Sequence, residues 1–438
     1  MFPVELVLHS LSFFHADEDK DTLRSCSLVD SSWRQVAQEI LFKRLTLKFN
    51  NTTRHEDYQE ISTLAVQSYE RLIGLLDSNP LLATYIHHLA LFRFEKVPAS
   101  VWDREELVRQ QEKEKDTIFR LLQQLKNVKY LKLFHSGDLD GIQAALHHIF
   151  QQPTLSRVEI SFARFPSIAD LLLLLISASN LEHINLSSVG FDSRRTLPAE
   201  ETTKIAPAHT IHPASLHFNL FPIDHITAFF SEPHCPIDFS NLQTLKLHRS
   251  KLFDYDTTAK LLSLVGHNLR DLELLGPDRV AEDKDNLHLG YTPNLRSLKL
   301  INLRQTVTYH SVPWIQSLFP LSVAEKSPIT PHLRNISLEV VADVSNSILR
   351  AVGPALWTHW RSVDALFSSN ASSLLDFPFL ERLQMVVSTP SAPLEPDLIA
   401  AVLEQFPELA GAGKFSLETT YFEMAASTAL MRLPAMSI

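Results

Sequence analysis

Residues 242–250 read LQTLKLHRS, residues 269–277 read LRDLELLGP and residues 295–303 read LRSLKLINL. Each opens on the same core, apolar-x-x-apolar-x-apolar, and the openings lie 27 and 26 residues apart. Side chains alternate across an extended strand, so the last two apolar residues of each core face one way and the residue between them faces the other. Outward from these three, the same core begins at Phe42, Ile86, Val128, Leu155, Leu181, Leu333 and Leu380, and weaker forms stand at Leu216/Phe218 and Phe415/Leu417. A period that recurs along one chain marks a repeat array, in which each unit buries its apolar face only against its neighbours.

Between these strands the apolar residues return at helical spacing, over Ser68–Leu76, Ile118–Leu125, Ile142–Phe150, Ile168–Ile176 and Thr258–Val265. Strand and helix alternate, so the fold class predicted is α/β, an irregular solenoid with parallel strands on the concave face and helices on the convex face. The period matches that of leucine-rich repeats. The Asn or Cys usual three residues after the third apolar residue is replaced by Ser136, Val189, Ser250, Pro277 and Leu303, so no asparagine ladder is expected. Surface insertions are expected at Asp192–Ser215, Pro277–Thr292, Arg304–Pro331 and Ser388–Pro396, which are rich in Pro, Ser, Thr and charge. The stretch Asp103–Asp116 reads as a solvated helix face, with Glu105 and Arg109 four apart as a helical ion pair.

Composition narrows the function. The chain of 438 residues carries 40 Lys+Arg against 50 Asp+Glu, a formal charge of −10, with no basic block of the kind a nucleic-acid surface needs. It contains 10 glycines, and neither a phosphate-cradling glycine loop nor a G-x-S-x-G elbow can be drawn from them. The two cysteines, Cys26 and Cys235, make a poor disulfide framework and point to a reducing compartment. The first residues lack the basic segment of a signal peptide, and no stretch reads as a membrane span, so a cytoplasmic or nuclear address is expected. Among 20 histidines the pairs His87-His88 and His147-His148, the His209/His212 spacing and His234-Cys235 fit no metal or nucleophile motif, and no cofactor is expected.

Residues 2–47 differ from the rest. They are predicted to form three short helices: a first from Pro3 through Leu6, Val7, Leu8, Leu11 and Phe14, a second from Thr22 to Val29, and a third from Ser32 through Trp33, Val36, Ala37 and Ile40. Helices this short do not bury their apolar faces unaided, and a partner helix in a groove is one solution. The run Phe2-Pro3-Val4-Glu5-Leu6, then Leu11 and Phe14, then Asp21, Leu23 and Arg24, then Ser27-Leu28-Val29 with Trp33-Arg34, resembles an F-box followed by leucine-rich repeats, in the style common among fungal F-box proteins. Phe2 replaces the usual leucine. Asp30 stands where many members carry cysteine, a position from which it weakens packing or caps the third helix.

The resemblance implies an F-box over residues 1–47 and a degenerate leucine-rich-repeat domain over residues 48–438. It further implies a substrate-recognition subunit of an SCF (Skp-cullin-F-box) E3 ubiquitin ligase that performs no covalent chemistry itself. The Skp adaptor would meet Pro3, Leu6, Leu23, Leu28, Val29 and Trp33 and would bring cullin and RING subunits, while the repeats would hold an unknown protein substrate. The second reading open at this level is a leucine-rich-repeat scaffold outside any ligase, its amino-terminal helices capping the solenoid. Strand alternation makes Lys132, Glu159, Asn185, His217, Lys246, Glu273 and Lys299 the candidates for substrate contact, and Lys246, Glu273 and Lys299, on consecutive strands, are expected to pair among themselves.

Overall fold

The structure, a computed structural model, describes residues 4–11, 14, 19–48, 55–92, 104–134, 143–191, 210–231, 235–248, 255–277, 287–319, 330–342, 353–368, 377–390 and 394–422. The chain divides into two compact units, residues 1–213 with 233–238, and residues 214–232 with 239–438.

The first unit opens with helices α1 (Val4–Leu11), α2 (Lys20–Cys26) and α3 (Ser31–Phe42), and continues through strands β1 (Arg44–Lys48), β2 (His88–Phe92), β3 (Tyr130–Phe134), β4 (Arg157–Ser161) and β5 (His183–Ser187). These strands pair in sequence order, all parallel. Parallel neighbours need crossovers, supplied among others by α4 (His55–Ser78), α5 (Leu81–Tyr85), α6 (Arg104–Gln124), α7 (Gln143–Phe150) and α8 (Ile168–Ile176). Helix α8 shows the local logic: seven of its nine residues are buried. Ser167 caps it, accepting from the Asp170 amide at 3.3 Å while its hydroxyl donates to the Asp170 carboxylate at 2.7 Å.

The second unit carries β6 (Ser215–Asn219), β7 (Thr244–His248), β8 (Asp271–Leu275), β9 (Ser297–Gln305), β10 (Asn335–Ala342), β11 (Arg382–Pro390) and β12 (Phe415–Phe422), again parallel and in order. Every apolar triad of the sequence, including the two weaker ones, lies on or leads into one of the twelve strands. Buried and half-buried residues alternate along most of them, and the leucines of the inner triads are sealed: Leu131, Leu133, Leu245, Leu247, Leu274 and Leu300 are all 0% exposed, whereas Leu45 of β1 and Leu417 of β12 are half-buried.

Within each unit the register is copied from repeat to repeat by one device. The carbonyl just before a strand accepts two consecutive amides of the next: Lys129 O takes Ser156 N and Arg157 N, both at 3.0 Å, and Gln243 O takes Arg270 N and Asp271 N at 2.8 and 2.9 Å. Three strands exit alike, through a left-handed residue at Phe162 (φ 54°), Ser188 (φ 52°) and Leu220 (φ 49°), and β9 takes the same conformation within its length at Asn302 (φ 54°), where its register with β10 shifts. Glycine would take this conformation without strain, but this glycine-poor chain places side chains there.

Several expectations are corrected. An asparagine row does exist, at the strand entries rather than the exits. Asn127 Nδ2 donates to Thr84 O at 2.8 Å, Asn180 to Pro153 O at 2.7 Å, Asn268 to Ser240 O at 2.9 Å and Asn294 to His267 O at 2.8 Å. The Asp103–Asp116 stretch is helical from Arg104 and exposes Arg109, Glu112, Lys113 and Asp116 as expected, but it is not a separate insertion: it is the first half of the repeat helix α6, which packs on α4 and buries Glu114 to 2% exposure. The Glu105 side chain of the expected ion pair lies outside the described residues. The stretches from Arg304 and from Ser388 begin inside strands β9 and β11, because the strands of the second unit lengthen to eight or nine residues from β9 onward.

Candidate functional site

The amino-terminal helices close on a small core of Val7, Leu11, Leu23, Val36 and Ala37, with Phe14, Cys26, Trp33, Ile40 and Leu41 packed around it. Asp30 caps α3: its carboxylate accepts the amides of Ser32 at 2.7 Å and Trp33 at 3.1 Å. The Trp33 amide bond leads the effects that hold the Asp30 carboxyl below its ordinary value, outweighing what burial adds. Helix α2 therefore stops at Cys26, short of the expected Val29, and Ser27–Val29 form a tight turn. The amides of Leu28 and Val29 bond back to Ser25 O and Cys26 O, each at 3.1 Å, and Arg34 Nε donates to Ser27 O at 3.2 Å.

That turn lifts Leu28 and Val29 into solvent, 79% and 66% exposed, with Leu8 47% exposed. Of the residues that the F-box resemblance assigned to an adaptor, Leu28 and Val29 are surface, Trp33 is half-buried and Leu23 is fully buried in the three-helix core. Pro3 and the Leu6 side chain lie outside the described residues. Leu8 was not among them, although its place on the outer side of an amphipathic helix is readable from the sequence. Helix α3 also packs on α5, so the three helices seat on the repeats that follow.

The second candidate surface is the polar face of the sheet. In the second unit, register sets Lys246 directly opposite Glu273, and Glu273 directly opposite Lys299. Lys246 Nζ lies 3.1 Å and Lys299 Nζ 3.6 Å from the Glu273 carboxylate, while Lys299 reaches Glu339 at 2.6 Å. The expected mutual pairing is present, extended by His217 and His248, whose ring nitrogens approach to 3.2 Å. Burial pushes the Glu273 carboxyl up, but hydrogen bonds from His248 and Lys246 and their charges win and hold it at about 2.

In the first unit, Lys132 Nζ and the Tyr130 hydroxyl both donate to Glu159, each at 2.5 Å. These bonds outweigh burial and lower the Glu159 carboxyl, and burial with the Glu159 contact raises the Tyr130 phenol to about 12. The Asn185 side-chain oxygen is buried with no hydrogen-bond partner among the described residues.

Beside this pair a pocket of about 580 Å³ opens over β1 to β5, lined among others by Arg44, His88, Tyr130, Arg157 and His183, the first residues of five successive strands. Sequence reasoning singled out the middle and outer rows of the same face and passed over this one, although the same alternation finds it two residues before the middle row. Among the described residues no group of three or more His, Cys, Asp or Glu is arranged to hold a metal ion, and no helix is long and apolar enough to cross a membrane. Compared with known proteins, the chain matches no protein-family model and no curated protein.

Proposed function

We propose that this chain is the substrate-recognition subunit of an SCF-type ubiquitin ligase, its three amino-terminal helices binding the Skp adaptor and its parallel sheet binding a protein substrate. The observation that carries the reading is the Leu28–Val29 turn. Two large apolar side chains stand exposed on a turn fixed by hydrogen bonds, on a helical cluster whose own core is already closed without them. Apolar side chains held out on a rigid turn gain most from a partner, because each Leu or Val transferred out of water is worth about 1.5–3 kcal/mol. Activity would then be proximity: cullin and RING subunits would carry the conjugating enzyme, and a held substrate would meet it at raised effective concentration. In this reading the compartment is the cytoplasm or nucleus, and this chain supplies no catalytic group.

The experiment is capture of purified Skp adaptor with cullin by the full chain, wild type against Leu28→Asp/Val29→Asp. Both positions are exposed, so circular dichroism and the thermal midpoint should not move while capture is lost. Capture that survives the double substitution would move the contact elsewhere. Absence of capture by folded wild type would favour the second reading, a scaffold outside any ligase, which the packing of α3 on α5 supports because it lets the helices serve as a cap for the repeats.

A further inference from the structure

We infer that the pocket over β1 to β5 receives an acidic side chain of a partner peptide, with an apolar side chain of the same peptide lying on the phenylalanines farther along these strands. The lining carries four lysines or arginines, Arg44, Lys129, Lys132 and Arg157, together with His88 and His183, and no aspartate or glutamate. This is a local inversion in a chain whose formal charge is −10. Lys132 is committed to Glu159, and Arg157 and Lys129 are the cations placed to meet the anion.

The residues that would meet it are preorganised. The Arg157 guanidinium lies over the Tyr130 ring, 5.1 Å from its centroid, and the His88 ring meets the same tyrosine edge-on at 5.6 Å. Tyr130 is in turn fixed by its bond to Glu159. Burial first, then the charges of Arg44, Lys43, His87 and Arg157, lower the His88 imidazole. A guanidinium stacked on an aromatic ring keeps its edge free for a carboxylate or phosphate.

Four residues farther along β2 and β3 the chemistry changes. Phe92 of β2, also in the lining, stands in register with Phe134 of β3, and their ring centroids are 5.5 Å apart. Phe162 adds a third ring 5.4 Å from Phe134. At about 3.3 Å per residue the cationic and aromatic ends are separated by roughly 13 Å, the span of four residues of an extended peptide. A nucleic acid needs cations along a continuous track, and here the far ends of β2, β3 and β4 carry Phe92, Phe134 and Ser161 instead, with Lys48 ending β1 alone.

This inference rests on the reading of the sheet face as the partner-binding surface, and it does not depend on adaptor capture. The test is fluorescence polarisation with the full chain and labelled extended peptides. These bear glutamate, phosphoserine or glutamine at one position and phenylalanine or alanine four residues on, with a single-stranded oligonucleotide as a further probe. Glutamate with phenylalanine should bind, phosphoserine should replace glutamate, and glutamine or alanine should weaken binding about tenfold or more. Binding should fall as salt rises. Arg157→Glu should abolish it, Phe92→Ala should weaken it, and Arg270→Glu in the other unit should leave it unchanged, all three still capturing whatever adaptor the wild type captures. The inference is overturned if folded wild type binds none of the acidic peptides, if the glutamine peptide binds equally well, if Arg157→Glu has no effect, or if only the oligonucleotide binds.

Discussion

His248 places Nε2 2.9 Å from Oε1 of Glu273, a diagonal contact between β7 and β8 that makes this nitrogen the donor. In the neutral ring the Nδ1 atom is then an acceptor, and Nε2 of His217, 3.2 Å away, donates into it. Glu273 is thus the terminus of a hydrogen-bond chain as well as the shared counterion of Lys246 and Lys299.

Replacement of Glu273 by glutamine is expected to cost on the order of 2 kcal/mol at neutral pH, moderated because both lysines are partly solvated. The carboxyl is lowered from 4.5 to about 2 in the folded state, so its contribution is complete above pH 4.5 and disappears as the pH falls toward 2. Denaturant titrations of the two proteins should therefore diverge above pH 4.5 and converge between 4.5 and 2. A pH-independent difference would mean that packing, not charge, is what the substitution removes.

Asp364 supplies a cap across 45 residues of sequence. It is buried on the helix Arg361–Phe367, and its carboxylate accepts the amides of Glu408 at 3.1 Å and Leu409 at 3.0 Å, at the start of the helix Pro407–Gly411. Burial raises its carboxyl despite these two bonds. Asp364→Ala should cost about 1–3 kcal/mol through one buried and one part-buried amide left without a partner, whereas Asp364→Asn, which keeps one of the two acceptors and removes a buried charge, should cost less. Equal thermal midpoints for the two variants would refute the capping role.

Gln305 is 1% exposed and satisfied on both sides: Oε1 accepts from Trp360 Nε1 at 2.7 Å, and Nε2 donates to Leu356 O at 3.1 Å. Gln305→Leu should destabilise by about 2–4 kcal/mol, because the indole N–H and the carbonyl lose their partners in a dry site. Adding Trp360→Phe to that variant should recover part of the loss, a coupling measurable by a double-mutant cycle.

Ser188 combines a φ of 52° with a buried hydroxyl that has no hydrogen-bond partner among the described residues. Ser188→Gly should stabilise the protein by roughly 0.5 kcal/mol, the relief of left-handed strain exceeding the added chain entropy of glycine. A lower thermal midpoint would show that the serine side chain packs more favourably than its exposure suggests.

The reading of the amino-terminal helices depended on burial that sequence does not specify. Leu23 and Leu28 both sit at apolar positions of one short segment, yet Leu23 is sealed and Leu28 is 79% exposed. The difference arises because Asp30 captures two amides and starts α3 where it does, leaving Ser27–Val29 as a turn. Asp30 was legible as a capping residue; where it would aim Leu28 was not.

By itself, the sequence determined the repeat. Leu242, Leu269 and Leu295 and their kin predict twelve strands, their order and the inward leucines, because alternation along a strand and a shared period are local properties of the chain. It also anticipated the pairing of Lys246, Glu273 and Lys299, which follows from register alone. Arg44, His88, Tyr130 and Arg157 hold one position in successive cores, so their alignment was legible too; that their side chains leave a pocket open between them was decided only by the tertiary structure, since it depends on how the rings and guanidinium pack. The asparagines at the strand entries were missed for a related reason: Asn127, Asn180, Asn268 and Asn294 each bond to a carbonyl of the preceding repeat, and such a partner exists only once neighbouring repeats have stacked.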